Sequence, residues 1–263
     1  MDLSLLLLLL LLATIPVIII LLVVYIRDKN KEPLALLIKL FLSGFLSCIL
    51  VLVISNAIGF LPFMQGTLAE KSFLDVLLYS FIGVALVEET CKWIMTYFLG
   101  YHHKEFDEVY DIIVYAIFVS LGFAFVENII YVIQTANIKT ALLRAISAVP
   151  SHACDAVFMG YYLSVAKQYA LRKRQDKEKM YLILSVIIPT LLHGIYDFCL
   201  MSNISSLVIV FIVFVVYLYT FSLMKLLKIS HNNRKIKFKN RYCNKCGKAV
   251  TGEFCSNCGQ RQV

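Results

Sequence analysis

The sequence predicts an all-α membrane protein: a helix bundle of about seven spans, followed by a small cysteine-rich module. Three observations carry this prediction. Hydrophobic residues make up 60% of the 263 residues, against about 45–50% in an ordinary soluble domain. The mean hydropathy is +0.80. The apolar residues gather in stretches of about 20 or more, the length a helix needs to cross the hydrocarbon core. The net charge of +8 falls mostly in short loops and the tail. There it reports topology and contact with anionic headgroups, and no nucleic-acid partner is expected.

The expected spans run over 3–26, 34–58, 74–99, 110–134, 145–169, 180–201 and 205–227. The first, LSLLLLLLLLATIPVIIILLVVYI, is too long for the apolar region of a secretory leader. It has Asp2 where a leader carries positive charge, and no small-residue cleavage pattern follows, so it reads as an uncleaved span. The second is expected to be interrupted near Asn56 and Gly59. Residues 61–72, with Pro62 and Gly66, form the longest outer loop. In the fifth, Pro150 is expected to open a kink just before His152. In the sixth, Gly194 allows a close helix approach. Cys48, Cys91, Cys154 and Cys199 lie scattered in apolar spans as small buried hydrophobes. His102 and His103 read as solvated loop residues.

Positive charge gives one orientation. Arg27, Lys29 and Lys31 mark one loop, Arg172, Lys173, Arg174, Lys177 and Lys179 another, and the tail after 224 is strongly basic. The alternate loops hold only Lys71, Lys139 and Arg144. The N-terminus is therefore expected outside and the C-terminal tail in the cytoplasm, which requires an odd number of spans. The 100–109 loop is mixed in charge. The chain divides into a membrane domain (1–227), a basic linker (228–242) that lies along the membrane surface or stays disordered, and a module over 243–260.

That module, CNKCGKAVTGEFCSNCG, places Cys243, Cys246, Cys255 and Cys258 as two C-x2-C pairs, each followed by a glycine, Gly247 or Gly259. Glycine permits the tight turn of a thiolate knuckle. Two knuckles offer four sulfur ligands in the tetrahedral arrangement zinc prefers. A cytoplasmic setting disfavours disulfides. A zinc ribbon this short buries little core, so its folding depends on the metal. Such a module suits a cytoplasmic protein partner.

The functional signal lies inside the spans. Glu88 and Glu89 sit side by side in SFIGVALVEETCKWIMTYFLG, with Lys92 four residues after Glu88. Each ionisable side chain at a helix centre costs roughly 2.5–3.5 kcal/mol to insert. Glu88 and Lys92 share a helix face and can pair, while Glu89 points about 100° away and is expected to face a cavity. Glu127 and Asn128 follow in the fourth span, Arg144 stands at the outer mouth of the fifth, and His152 lies deeper, with Asp155 three residues on to orient its ring. His193 and Asp197 share a face of the sixth. At about 1.5 Å per residue, Glu127, His152 and His193 all lie ~10–12 Å below the outer surface. Glu88 and Glu89 lie deeper.

This set suits hydrolysis. A glutamate can deprotonate water, a histidine can protonate the leaving amine, and a cation can hold the oxyanion. Two imidazoles and two carboxylates also form a plausible sphere for a divalent metal. No HExxH helix is present. No serine or cysteine has an obvious base beside it, since Ser151 and Cys154 flank His152 in sequence without facing it. Buried Glu, His and Asp chains also serve proton- or cation-coupled transporters, although no internal repeat is visible. A non-catalytic scaffold that binds a partner helix is a third reading.

EETCK (Glu88 to Lys92), FAFVEN (Phe123 to Asn128), His152 after Arg144, and HGIYD (His193 to Asp197) resemble the PrsW family of intramembrane proteases, distant relatives of the CAAX prenyl endopeptidases. The resemblance covers roughly 75–200 and leaves out the first span and the ribbon. It implies cleavage of a membrane-anchored protein in or near the bilayer. By carry-over, Glu88 and Glu89 activate water. Glu127, His152 and His193 complete the centre, and Asp197 orients or binds. The CAAX relatives carry His where Glu127 stands, which leaves both a glutamate–histidine centre and a metal centre open.

Overall fold

The computed structural model describes residues 2–236, 241–243, 245–250 and 255–261. Linker residues 237–240 and module residues 244 and 251–254 lie outside the described residues. Two long helices come first, α1 (Leu3–Arg27) and α2 (Leu34–Ile58). A helical run follows: α3 (Phe73–Leu78), a π-helical stretch Tyr79–Leu86, α4 (Val87–Thr96), and a second π-helical stretch Tyr97–Tyr101. Then come α5 (Asp111–Thr135), α6 (Ile138–Ile146), α7 (Ala148–Leu171), α8 (Gln175–Met201) and α9 (Leu207–His231). Among the described residues, α1, α2, α5, α8 and α9 are long and apolar enough to cross a membrane. The chain is a multi-pass membrane protein.

Three local expectations are corrected. α2 runs unbroken to Ile58 and closes at Gly59, so Asn56 does not interrupt it; the Asn56 side chain donates to Leu52 O within the helix. The stretch expected as one fifth span is divided: α6 ends at Ile146, Ser147 leaves the helix, and α7 starts at Ala148. Pro150 thus stands in the first turn of α7, where a missing N–H costs nothing, and makes no mid-helix kink. α9 also continues to His231, past the boundary read at 227.

α5 is the central helix. Every residue from Asp111 to Ala124 is buried, with α1, α2, α4 and α7 packed around it. Glycines bring α2 and α5 into backbone contact. A Cβ on Gly122 would lie 2.0 Å from Phe41 O, and one on Gly44 would lie 2.2 Å from Val119 O. Small residues at such crossings let helices approach in lipid, where no hydrophobic force drives them together. Gly194 serves the same purpose on α8, since its Cβ would lie 2.4 Å from the Phe81 ring. The Gly194 contact sets α8 beside the helical run that carries α4, where His193 meets Glu89.

At one end of the bundle the loops are stitched together. Glu108 accepts from Asn30 Nδ2 (2.6 Å) and from Asn233 Nδ2 (2.5 Å). The main-chain N–H of Val109 donates to Arg234 O (3.0 Å), and that of Ile236 donates to Asp107 O (2.6 Å). Lys29 donates to His231 O at 3.0 Å. Glu32 accepts from the Tyr115 hydroxyl, and burial pushes its carboxyl up to about 7. Residues 232–236 of the expected linker are therefore held by the 103–110 loop.

In the C-terminal module, Arg241–Tyr242 pairs antiparallel with Ala249–Val250. Gly247 and Gly259 have φ of 69° and 67°, the left-handed turn that glycine adopts without strain. Their N–H groups donate to Cys243 O (2.8 Å) and Cys255 O (2.9 Å), making two equivalent knuckles. The four sulfurs lie within 4.8 Å of one another. This is consistent with a ribbon.

Candidate active site

The α4 sequence VEETCKW is short of apolar residues, yet its charged side chains are buried: Glu89 and Lys92 are 0% exposed and Glu88 is 7% exposed. Successive positions on a helix point about 100° apart, but the long lysine side chain spans that gap. Lys92 Nζ donates to Glu89 Oε1 at 2.8 Å and to Glu88 Oε2 at 3.2 Å. The expected pairing of Lys92 with Glu88 alone is corrected: one ammonium bridges both carboxylates. Glu88, not Glu89, lines the cavity.

Lys92 Nζ also lies 3.1 Å from His152 Nδ1 and 4.1 Å from the centroid of the Phe123 ring. An ammonium only donates, so Nδ1 accepts and Nε2 carries the proton toward Glu127 Oε2, 2.9 Å away. Lys92 and Glu127, not Asp155, therefore orient His152. Glu127 meets Arg144 at 2.9 Å. Arg144 also donates to Asn128 Oδ1 at 2.7 Å and stacks 3.9 Å from the Tyr131 ring. Arg144 thus closes over Glu127 from α6.

His193 Nδ1 lies 2.9 Å from Glu89 Oε1. Its Nε2 stands 3.4 Å from Asp197 Oδ2 and 3.8 Å from Glu88 Oε2. The two imidazole centroids are 5.3 Å apart. Glu88, Glu127, His152, His193 and Asp197 share the lining of one cavity of about 680 Å³. Glu88, Glu89, Lys92, Glu127, Asn128, Arg144, His152, His193 and Asp197 thus belong to one contiguous network. Charge alone would not assemble it, because each buried ion must be paired or pay its desolvation.

Asp155 had only an orienting part in the sequence reading. In the structure it is 1% exposed, lines the cavity, and its Oδ1 has no partner. Glu89 Oε2 is likewise buried without a partner. Ligand atoms of Glu89, His152, Asp155 and His193 all lie within 4.8 Å of one another. Two imidazoles, two carboxylates and two unsatisfied buried oxygens fit a divalent cation. The sequence signal for Asp155 was its position one turn after His152. The same spacing places it four residues after Ser151, on one face of α7.

A family model described as PrsW family intramembrane metalloprotease matches residues 32–223. Curated relatives named Protease PrsW include one from Oceanobacillus iheyensis, 37% identical over 80% of this chain and 90% of its own length. One from Clostridioides difficile is 35% identical over 82% and 90%. One from Bacillus subtilis is 36% identical over 78% and 87%. No solved structure matches the chain. The family match extends beyond 75–200, taking in α2 and most of α9, and itself leaves α1 and the cysteine module outside.

Proposed function

Because the chain belongs to the PrsW family of intramembrane metalloproteases, it is a protease of membrane-anchored proteins, and we propose that the cavity bordered by Glu88, Glu127, His152, His193 and Asp197 is its catalytic centre. The observation that supports this most is the convergence of two glutamates, two histidines and two aspartates, drawn from four helical segments, on one cavity. Membership of the family selects the protease reading over the transporter and scaffold readings.

In this proposal Glu88 is the general base. It is the carboxylate of the pair that borders the cavity, while Glu89 is spent on Lys92 and His193. Glu88 takes a proton from water as the oxygen–carbon bond forms and passes that proton to the leaving amine as the carbon–nitrogen bond breaks. Lys92 keeps Glu88 and His152 in register, and Asp197 orients His193. Arg144 borders the cavity and offers positive charge to the developing oxyanion. Glu89, Asp155 and His193 would hold the divalent metal, and His152 would join them through Nδ1, with the ion taking the place of the Lys92 ammonium at that nitrogen. Such an ion supplies Lewis-acid activation of water and carbonyl.

We assign zinc to Cys243, Cys246, Cys255 and Cys258, and a cytoplasmic protein partner to that ribbon. The bundle has seven spans in this reading, counting the helical run from Phe73 and α7, with the N-terminus outside and the ribbon in the cytoplasm. The stitching of the 27–33 and 103–110 loops to the tail supports a single basic end. It also supports placing the mixed 100–109 loop at that end.

The test uses full-length protein. Against a panel of single-span reporter proteins, Glu88→Gln is expected to lose roughly 10²–10⁴-fold in cleavage rate. Elemental analysis is expected to give about two metal ions per chain, with about one lost in His193→Ala and the other in Cys243→Ser. A panel left uncut by the wild-type protein, or full activity in Glu88→Gln, would refute the assignment.

A further inference from the structure

The cavity has a mouth framed by two helices, to which the chemistry above gives no task. On α6 the frame is Leu143 and Ile146, 51% and 68% exposed. On α9 it is Ile212 and Val216, 55% and 61% exposed. All four are apolar, and in a bilayer such exposure is contact with lipid. Further along α9, Tyr219 closes the gap: its hydroxyl donates to Ile146 O (3.2 Å) and Ser147 O (2.6 Å). The mouth therefore opens sideways, with a hydrogen-bonded floor.

Behind the mouth stands Ser151, on the cavity wall contributed by α7. It is 4% exposed, and its hydroxyl has no hydrogen-bond partner. A buried polar group is normally paired, and an unpaired one calls for a guest that supplies the partner. A lipid tail cannot. An unwound peptide can, because each residue brings one amide and one carbonyl, and away from water both must find partners. Proteolysis requires the chain to be unwound at the bond that is cut.

We propose that a transmembrane segment of the substrate passes from lipid into the cavity between α6 and α9, locally unwound, and that Ser151 hydrogen-bonds its backbone. This rests on the protease reading and adds the route and the receiving group.

The experiment reconstitutes full-length protein in phosphatidylethanolamine–phosphatidylglycerol vesicles with a leucine-rich single-span peptide of about 24 residues. The peptide carries a central Asn-Pro pair beside a benzophenone. Photo-crosslinks mapped by mass spectrometry are expected on Ile146, Ile212 and Val216. Crosslinks gathered on α1 or α2, spread evenly over the lipid-facing helices, or absent would overturn the route. With a cleaved reporter, Ser151→Ala is expected to raise KM roughly three- to tenfold, lowering kcat/KM in proportion while kcat moves little, and Ser151→Thr is expected to restore it. A fall in kcat at constant KM would remove Ser151 from this role. Reporters uncut by wild-type protein count against the protease reading, whereas cut reporters with crosslinks elsewhere sink only the route.

Discussion

Lys92 holds the charge balance of the site. Its ammonium touches Glu88, Glu89 and His152 while fully buried. Removing one partner from a buried ion pair costs more than the pair contributes, because the remaining charge stays desolvated. Lys92→Met is therefore expected to destabilise the protein by about 3–5 kcal/mol, read as a lowered thermal midpoint in detergent. Adding Glu88→Gln to Lys92→Met should recover part of the loss. Additive losses in the double variant would show that the two groups do not couple. At this scale the sequence was informative about Glu88, Glu89 and Lys92, because helix geometry dictates which residues one turn apart can meet. It was silent on Arg144 reaching Glu127, since that contact joins α5 to α6 across a turn whose direction no local pattern encodes.

Among the elements, the crossing of α2 and α5 sets the position of the second motif. Gly44 and Gly122 leave no room for a Cβ, and Glu127 lies five residues beyond Gly122 on the same helix. Gly122→Leu must push α5 away from α2 and is expected to cost about 1–3 kcal/mol or more, with cleavage falling alongside stability. Intact reporter cleavage and an unchanged thermal midpoint would contradict the role given to that crossing. Helix existence was legible here from long apolar runs. The break at Ser147 was not, because 145–169 has composition suitable for one helix. What divides it is tertiary: Tyr196 and Tyr219 hydrogen-bond to Ser147, and Tyr219 also to Ile146 O. The π-helical stretch before Glu88 likewise left no mark in the residue pattern.

Across the whole molecule, the C-terminal arm links the membrane core to the cysteine module. Asn233 bonds to Glu108 and to the Tyr110 N–H, and main-chain bonds from Val109 and Ile236 complete the latch. Truncation after Ile236 removes the module and keeps the latch, so core stability and cleavage should persist. Truncation after Lys228 removes the latch as well, at roughly 2–5 kcal/mol for a handful of hydrogen bonds. Matching thermal midpoints for the two truncations would show that the arm contributes nothing. Composition and spacing alone decided that the chain is a membrane helix bundle with buried Glu, Lys, His and Asp side chains and a four-cysteine module, because burial cost and helix periodicity act locally along the chain. Which carboxylate borders the cavity, which partners hold His152, that Asp155 joins the donor set and that the mouth lies between α6 and α9 were settled only by packing. Those facts depend on contacts between residues far apart in sequence, where helix rotation and crossing, not local pattern, determine which atoms meet.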